Sequence, residues 1–208
     1  MKNLIFLMMV AAIGFASCQK TPDLSQLSSE FVVSTNLDKN ASFGSYKTYF
    51  ISDTITNLGG SGADTVWTDA SAQQLVSTVK NNMAARGYTF VPRLAHPDLG
   101  LKLGVIKVVN VEVFYPGWWG GYPGWGYPGY WGGGYPYYYP FSTVYAYTTG
   151  TLILDTYDLK NATTTHQYDV VWNCTSFGAL GSGTSGNVTR GVNSINQGFI
   201  QSPYLKAN

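Results

Sequence analysis

The chain has 208 residues, 45% of them hydrophobic and only 11% charged, with a net charge of +1. That length fits one domain with an ordinary core, and Ser, Thr, Asn and Gly supply the polar surface in place of charge. A near-neutral surface has no long-range field to collect nucleic acid or anionic lipid, which argues against nucleic-acid binding.

Lys2 opens the chain and LIFLMMVAAIGF follows from Leu4 to Phe15 without a charge. This run is shorter than the roughly 20 residues that span a bilayer, and small residues end it, the pattern of a secretory signal peptide. Phe15-Ala16-Ser17-Cys18 resembles a bacterial lipobox, with Phe15 in place of the usual Leu. The expectation is removal of residues 1–17 and lipidation of Cys18, followed by a polar tether over 18–30. A thioether at Cys18 would carry the diacylglycerol, and the freed amine a further chain. Each buried methylene contributes about 0.8 kcal/mol, so two or three chains hold a protein to a membrane that one holds only marginally. Gln19 follows the Cys, so the Asp that retains enteric lipoproteins in the inner membrane is missing and the outer membrane is the expected address. Without Lys2 the basic and acidic residues balance at 11 each. Cys174 is then the one thiol left; with no internal disulfide available to it, it reads as a buried, inert core residue.

Within residues 31–202, expected to form one domain before a tail at 203–208, the first strands are Phe31–Thr35 and Tyr46–Ser52. Asn57–Ala63 is a Gly-rich loop. Ala72, Leu75, Val76, Val79 and Met83 fall on one face of a helix over Thr68–Arg86, with Asp69 at its start and Gly87 beyond its end. Tyr88–Val91 is a short strand and prolines 92 and 97 bound a turn. Leu99 to Tyr115 alternates with period two, placing Leu99, Leu101, Leu103 and Val105 on one face and Gly100, Lys102 and Gly104 on the other. Phe141–Tyr157 is its natural partner strand. A turn at 158–161 leads to a strand over Gln167–Phe177. Val188, Val192, Ile195 and Phe199 mark a last helix ending before Pro203, although Gly191 and Gly198 weaken its propensity. This order predicts an α+β fold, a mainly antiparallel sheet with two helices packed on one face.

Between the two long strands lies Pro116 to Pro140, built only from nine Gly, five Pro, seven Tyr and four Trp. Gly and Pro at that density propagate neither helix nor ladder, so the segment reads as a long aromatic, Gly-rich loop outside the core. Trp118, Trp119, Trp125, Tyr127 and Trp131 offer flat apolar faces with polar edges, suited to sugar rings, peptide prolines or a membrane interface.

Three stretches resemble one family. FGSYKTYFISD (43–53), the helix followed by RGYTFV (86–91), and GTLILDTYDLKN…VVW (150–172) with a C-terminal helix are similar to bacterial lipoproteins of the DUF4136 family. The resemblance covers about residues 30–202. The family pattern at the second long strand is matched by Gly150, Thr151, Leu152, Asp155 and Asp158. The family has no established activity, so the resemblance implies no catalytic residue and no cofactor.

Gly181 to Gly186 satisfies GxGxxG, but no acid follows Asp169, so the dinucleotide pattern is incomplete and a flexible linker is expected. His96 and His166 have no metal-ligand partners at the required spacing and read as turn residues. Asp158 is expected to cap a turn and Asp155 to face water. Asp53-Thr54-Ile55 and Asp64-Thr65-Val66 resemble the acid-hydroxyl-aliphatic sites of O-glycosylation in Bacteroidetes envelopes, making Thr54 and Thr65 candidates. The leading expectation is therefore a non-enzymatic envelope lipoprotein, structural or binding, with an envelope glycan or protein as partner. The alternative is a hydrolase or glycan-processing enzyme using Asp155, Asp158 and Glu112, which requires two carboxylates ~5–9.5 Å apart in a cleft.

Overall fold

A computed structural model of the protein describes residues 31–58, 66–106, 135–141, 150–180 and 188–208. The described strands are β1 (Val32–Leu37), β2 (Thr48–Ile51), β3 (Ile55–Asn57), β4 (Val66–Trp67), β5 (Thr89–Phe90), β6 (Leu99–Ile106), β7 (Tyr137–Tyr138), β8 (Thr151–Asp158) and β9 (Tyr168–Phe177). They form one sheet with the central order β1-β9-β8-β6-β2-β5. Three helices accompany it: α1 (Ala70–Ala85), α2 (Ala162–Thr165) and α3 (Val188–Gln201).

The sheet is mixed, which corrects the expectation of a mainly antiparallel one. The centre, β6-β8-β9-β1, is antiparallel, but β2 runs parallel to both β5 and β6, β3 runs parallel to β6, and β7 parallel to β9. The reason is the connection. Between β2 and β5 the chain passes through the 16-residue helix α1, a crossover long enough to return a strand in the same direction. Period-two patterning reports which face a residue takes, not which way its neighbour runs. A third, short helix also stands just after the expected turn at 158–161, over Ala162–Thr165, where no element was expected.

The two long helices lie on one face, as their apolar stripes require. Leu75, Val76, Val79 and Met83 of α1 and Ile195 and Phe199 of α3 share one core with Leu99, Leu101, Leu103 and Val105 of β6, Leu152 and Leu154 of β8, and Trp172 and Cys174 of β9. Asp69 caps α1 by accepting from the Ala72 N–H at 3.0 Å, a cap of a kind worth about 1 kcal/mol. The helices touch through Asn82 Nδ2, which donates to Asn196 Oδ1 at 2.7 Å. Gly191 and Gly198, read from sequence as weak points of α3, are its seats. A Cβ on Gly191 would stand 2.8 Å from Leu75 Cδ2, and one on Gly198 would stand 2.4 Å from Cys174 Sγ. Close approach of α3 to the sheet outweighs the propensity of about 1 kcal/mol that each glycine forfeits.

Of the residues joining β6 to β8, only Tyr135–Phe141 and Gly150 are described. Residues 107–134, which include most of the aromatic insert and the far half of the expected long strand, lie outside the described residues. Tyr135 to Pro140, the insert's last residues, do not stand off from the fold. Tyr137 and Tyr138 pair with Tyr168 and Asp169, and the Tyr135, Tyr137 and Tyr139 rings pack against Tyr157, Tyr168 and Val170. That part of the insert is partly buried and packs against the sheet. No helix among the described residues is long and apolar enough to cross a membrane.

Candidate functional site

The face of the sheet turned away from α1 and α3 holds the most unusual chemistry among the described residues. Along β6 and β8 the side chains alternate, so Lys102 and Asp155 share this second face and stand directly opposite each other in the register. Asn173 of β9 stands opposite Asp155 on the other side. All three are buried, Asp155 completely. This corrects the expectation that Asp155 faces water.

The carboxylate is held by three donors. Asn173 Nδ2 donates to Oδ1 at 2.7 Å, and the hydroxyls of Tyr139 and Tyr157 donate to Oδ2 at 2.8 and 3.3 Å. Asn173 Oδ1 in turn accepts from Thr175 Oγ1 at 3.2 Å and from Asn36 Nδ2 at 3.3 Å. Tyr139 enters from the insert's end, reaching across β9 to β8. Burial raises the Asp155 carboxyl above its ordinary range, against the three hydrogen bonds and the nearby Lys102 charge, which act downwards. Burial lowers the Lys102 amine to about 6, against the Asp155 charge, which acts upwards. The same burial and the same carboxylate push the Tyr139 and Tyr157 hydroxyls well up, so both remain donors. Apolar groups seal the cluster on either side: Leu58, Ile106 and Ile153 on one, Tyr157, Ala162, Tyr168 and Val170 on the other.

Asp158 occupies a second polar junction. It accepts from the Asn161 backbone N–H at 2.9 Å and from Asn161 Nδ2 at 2.6 Å, the turn role expected of it, and from the Tyr46 hydroxyl at 2.8 Å. That last bond joins two of the stretches that sequence alone singled out. The third joins them through Tyr88, whose hydroxyl donates to the Phe43 carbonyl at 3.2 Å. Arg86, just past α1, donates to the carbonyls of Phe199, Ser202 and Leu205 beyond and at the end of α3. Trp172 Nε1 donates to Ser202 Oγ at 2.9 Å. Gly150 adopts φ 79° and bonds Ile106 and Leu180 through its N–H and carbonyl, which explains a glycine there. Thr151 is fully buried.

The bonds of Tyr46, Tyr88, Arg86 and Trp172 tie together the segments that carried the resemblance, and the family model settles its meaning. Residues 33–204 match the model of the domain of unknown function DUF4136. The chain belongs to the DUF4136 family. A DUF4136 family protein of known crystal structure from Bacteroides thetaiotaomicron is 31% identical, with a TM-score of 0.71 over 85% of this chain and 98% of that one. The PelC dodecamer from Paraburkholderia phytofirmans is a distant likeness, at 16% identity and a TM-score of 0.41 over 86% of this chain and 99% of that one. A PDZ domain protein from Parabacteroides distasonis is similarly distant, at 14% identity and 0.40, over 85% of this chain and 37% of that one. No curated protein matches the chain.

Gly150, Thr151, Asp155 and Asp158 are thus posts of the fold. Sequence reasoning found Asp155 and Asp158 but missed Lys102, Tyr139, Tyr157 and Asn173 as their companions. The signal was there in the alternation: Lys102 stands on a strand whose every other residue is apolar or Gly. Thr54 is exposed, its hydroxyl 2.8 Å from Ser52 Oγ. Cys18, Trp118, Trp119, Trp125, Tyr127, Trp131, Thr65, Glu112 and the GxGxxG stretch lie outside the described residues. His96 and His166 are exposed turn residues, both in the left-handed region at φ 54°. Cys174 is buried, and burial pushes its thiol up to about 12. No group of three or more metal-ligating side chains occurs among the described residues.

Proposed function

We propose that this DUF4136 protein is a non-enzymatic lipoprotein of the cell envelope, held on the outer membrane by lipid at Cys18 and serving a structural or binding role. The observation that carries the reading is the environment of Asp155. A hydrolytic carboxylate must reach a substrate and exchange protons with it. Asp155 instead spends both oxygens on Asn173, Tyr139 and Tyr157 inside the sheet face, and Asp158 spends its own on Asn161 and Tyr46. Burial of such groups supports a scaffold more readily than a reaction centre. The lipobox-like segment 15–18 supports the anchor, and the exposed Thr54 is consistent with O-glycosylation there. Binding falls to the aromatic insert, with Trp118, Trp119, Trp125, Tyr127 and Trp131 contacting an envelope glycan or a protein partner. The insert has no charge, so such binding is expected to be nearly independent of salt.

Two measurements test this. Cys18→Ser is expected to abolish acylation and move the protein out of the membrane fraction; retention of the mutant after a high-salt wash would defeat the anchor. Asp158→Asn is expected to leave the envelope's glycan turnover unchanged. Loss of a measurable hydrolytic activity in that mutant, with its circular dichroism unaltered, would restore the enzyme reading.

A further inference from the structure

Among the described strands the sheet ends at β1, which pairs with β9 alone. The side of β1 that carries those bonds can be read from its end. The Asp38 N–H donates to the Val171 carbonyl at 2.9 Å, and these two residues continue the β1–β9 register. Hydrogen-bonded pairs alternate along an antiparallel ladder, so Val32, Ser34 and Asn36 bond to β9. The backbone N–H and carbonyl groups of Val33, Thr35 and Leu37 point away from the sheet. No described residue pairs with them.

The two ends of the sheet differ in how they treat this hazard. At the far end β5 has two residues and Pro92 soon follows, a short edge of the kind that discourages pairing. β1 has six residues, VVSTNL, without a Lys, a Pro or a bulge. Its outward-bonding residues also share a face. Val33, Thr35 and Leu37 stand opposite Ser176, Cys174 and Trp172, and so lie on the helix-covered side of the sheet, where Leu37 is 37% exposed. A strand added here would therefore satisfy six backbone groups and cover apolar side chains at once.

We propose that β1 pairs antiparallel with β1 of a second copy of the chain, about a twofold axis at Thr35. In that register Thr35 faces the second copy's Thr35, and Val33 faces the second copy's Leu37 on both sides of it. The strand suits itself as a partner. Two Thr at the axis and two aliphatic pairs flanking it are favourable cross-strand neighbours. With no charge from Val32 to Leu37, a self-complementary twofold contact brings no like charges together. The central part of the sheet becomes continuous across the pair, and each copy keeps the helices it already has on one face. Six backbone bonds and two aliphatic pairs make a contact smaller than the roughly 1,200 Å² of a stable interface. The dimer is therefore expected to be weak and populated at high local concentration, independent of whether the lipid anchor exists.

Register-specific cross-linking of the full chain tests this, in a Cys18→Ser, Cys174→Ala background, because Cys174 stands opposite Thr35 and its thiol would otherwise capture a cysteine placed there. Opposed residues of a hydrogen-bonded pair lie about 5.5 Å apart between Cα atoms, within disulfide reach. Thr35→Cys is expected to give a covalent dimer on mild oxidation. Val33→Cys mixed with Leu37→Cys is expected to give a heterodimer far more readily than either variant alone. Thr35→Pro removes one outward N–H per copy while sparing the bonds to β9, and is expected to weaken self-association at least tenfold by sedimentation. Monomeric Thr35→Cys and no Val33/Leu37 cross-link would overturn the proposal. So would self-association of Thr35→Pro equal to that of the parent, or cross-linking of single variants as efficient as the mixture. Should Thr35→Cys fold poorly, the Val33/Leu37 pair decides.

Discussion

The two faces of the central strands are built on opposite principles from the same alternating sequence. Under α1 and α3, β6, β8 and β9 present Leu, Val, Trp and Cys to a dry core. On the reverse they present Lys102, Asp155, Asn173 and Thr175, equally buried, under the aromatic end of the insert. The first face is held by area, which any well-shaped apolar side chain can supply. The second is held by a polar network that tolerates few changes, because each buried donor or acceptor left alone costs about 1–3 kcal/mol. Burial by itself therefore does not tell which kind of substitution a position will accept.

The comparison is broken most severely on the apolar face. Trp172 is fully buried, stacks near Phe199 with ring centroids 5.3 Å apart, and bonds Ser202. Trp172→Ala is expected to cost about 4 kcal/mol, through lost contacts and a cavity, seen as a lower urea midpoint with an unchanged slope. On the polar face, Asp155→Asn replaces an acceptor with a donor against three donors and is expected to cost about 3 kcal/mol. A loss below about 1 kcal/mol would mean that the network rearranges freely. The effect expected from sequence alone, with Asp155 in water, was modest.

The pH dependence separates the faces further, since the second carries a buried amine and a buried carboxyl. Lys102 has a folded value of about 6 against an ordinary 10.5. Between those values the unfolded chain holds the extra proton, so stability rises with pH through that window, by at most about 1.4 kcal/mol per unit, and the full penalty persists below it. Asp155 is raised from 3.8, so its contribution falls as pH rises from that value through its folded one. Lys102→Met is expected to remove the rising limb and Asp155→Asn the falling one; curves unchanged in both variants would exclude the pair as the source. The smallest effect is expected of Tyr139→Phe, which deletes one hydrogen bond to Asp155 and should cost about 1 kcal/mol. It sharpens the reading of the insert. Replacing residues 116–134 with an Asn-Gly turn is expected to preserve a cooperatively melting domain. Extending the replacement through Pro140 is expected to cost at least what Tyr139→Phe does, because Tyr137 and Tyr139 leave with it.

The amino-acid sequence by itself determined the elements and their faces. Period two along β6 and the 3–4 spacing of Leu75, Val76, Val79 and Met83 are local properties of the chain, and the structure places those residues together in one core. It also marked Gly150, Thr151, Leu152, Asp155 and Asp158, and through them the family. Tertiary structure alone decided three further things. The parallel pairing of β2 with β6 depends on where the crossover through α1 delivers the chain, which a strand's own pattern does not encode. The worth of Gly191 and Gly198 depends on Leu75 and Cys174 arriving at their Cα atoms, so local propensity gave the wrong sign. The burial of Asp155 depends on Tyr139, 16 residues away along the chain, crossing β9 to cover it. A polar residue in a strand reads as water-facing until something else covers it, and what covers it is a long-range contact.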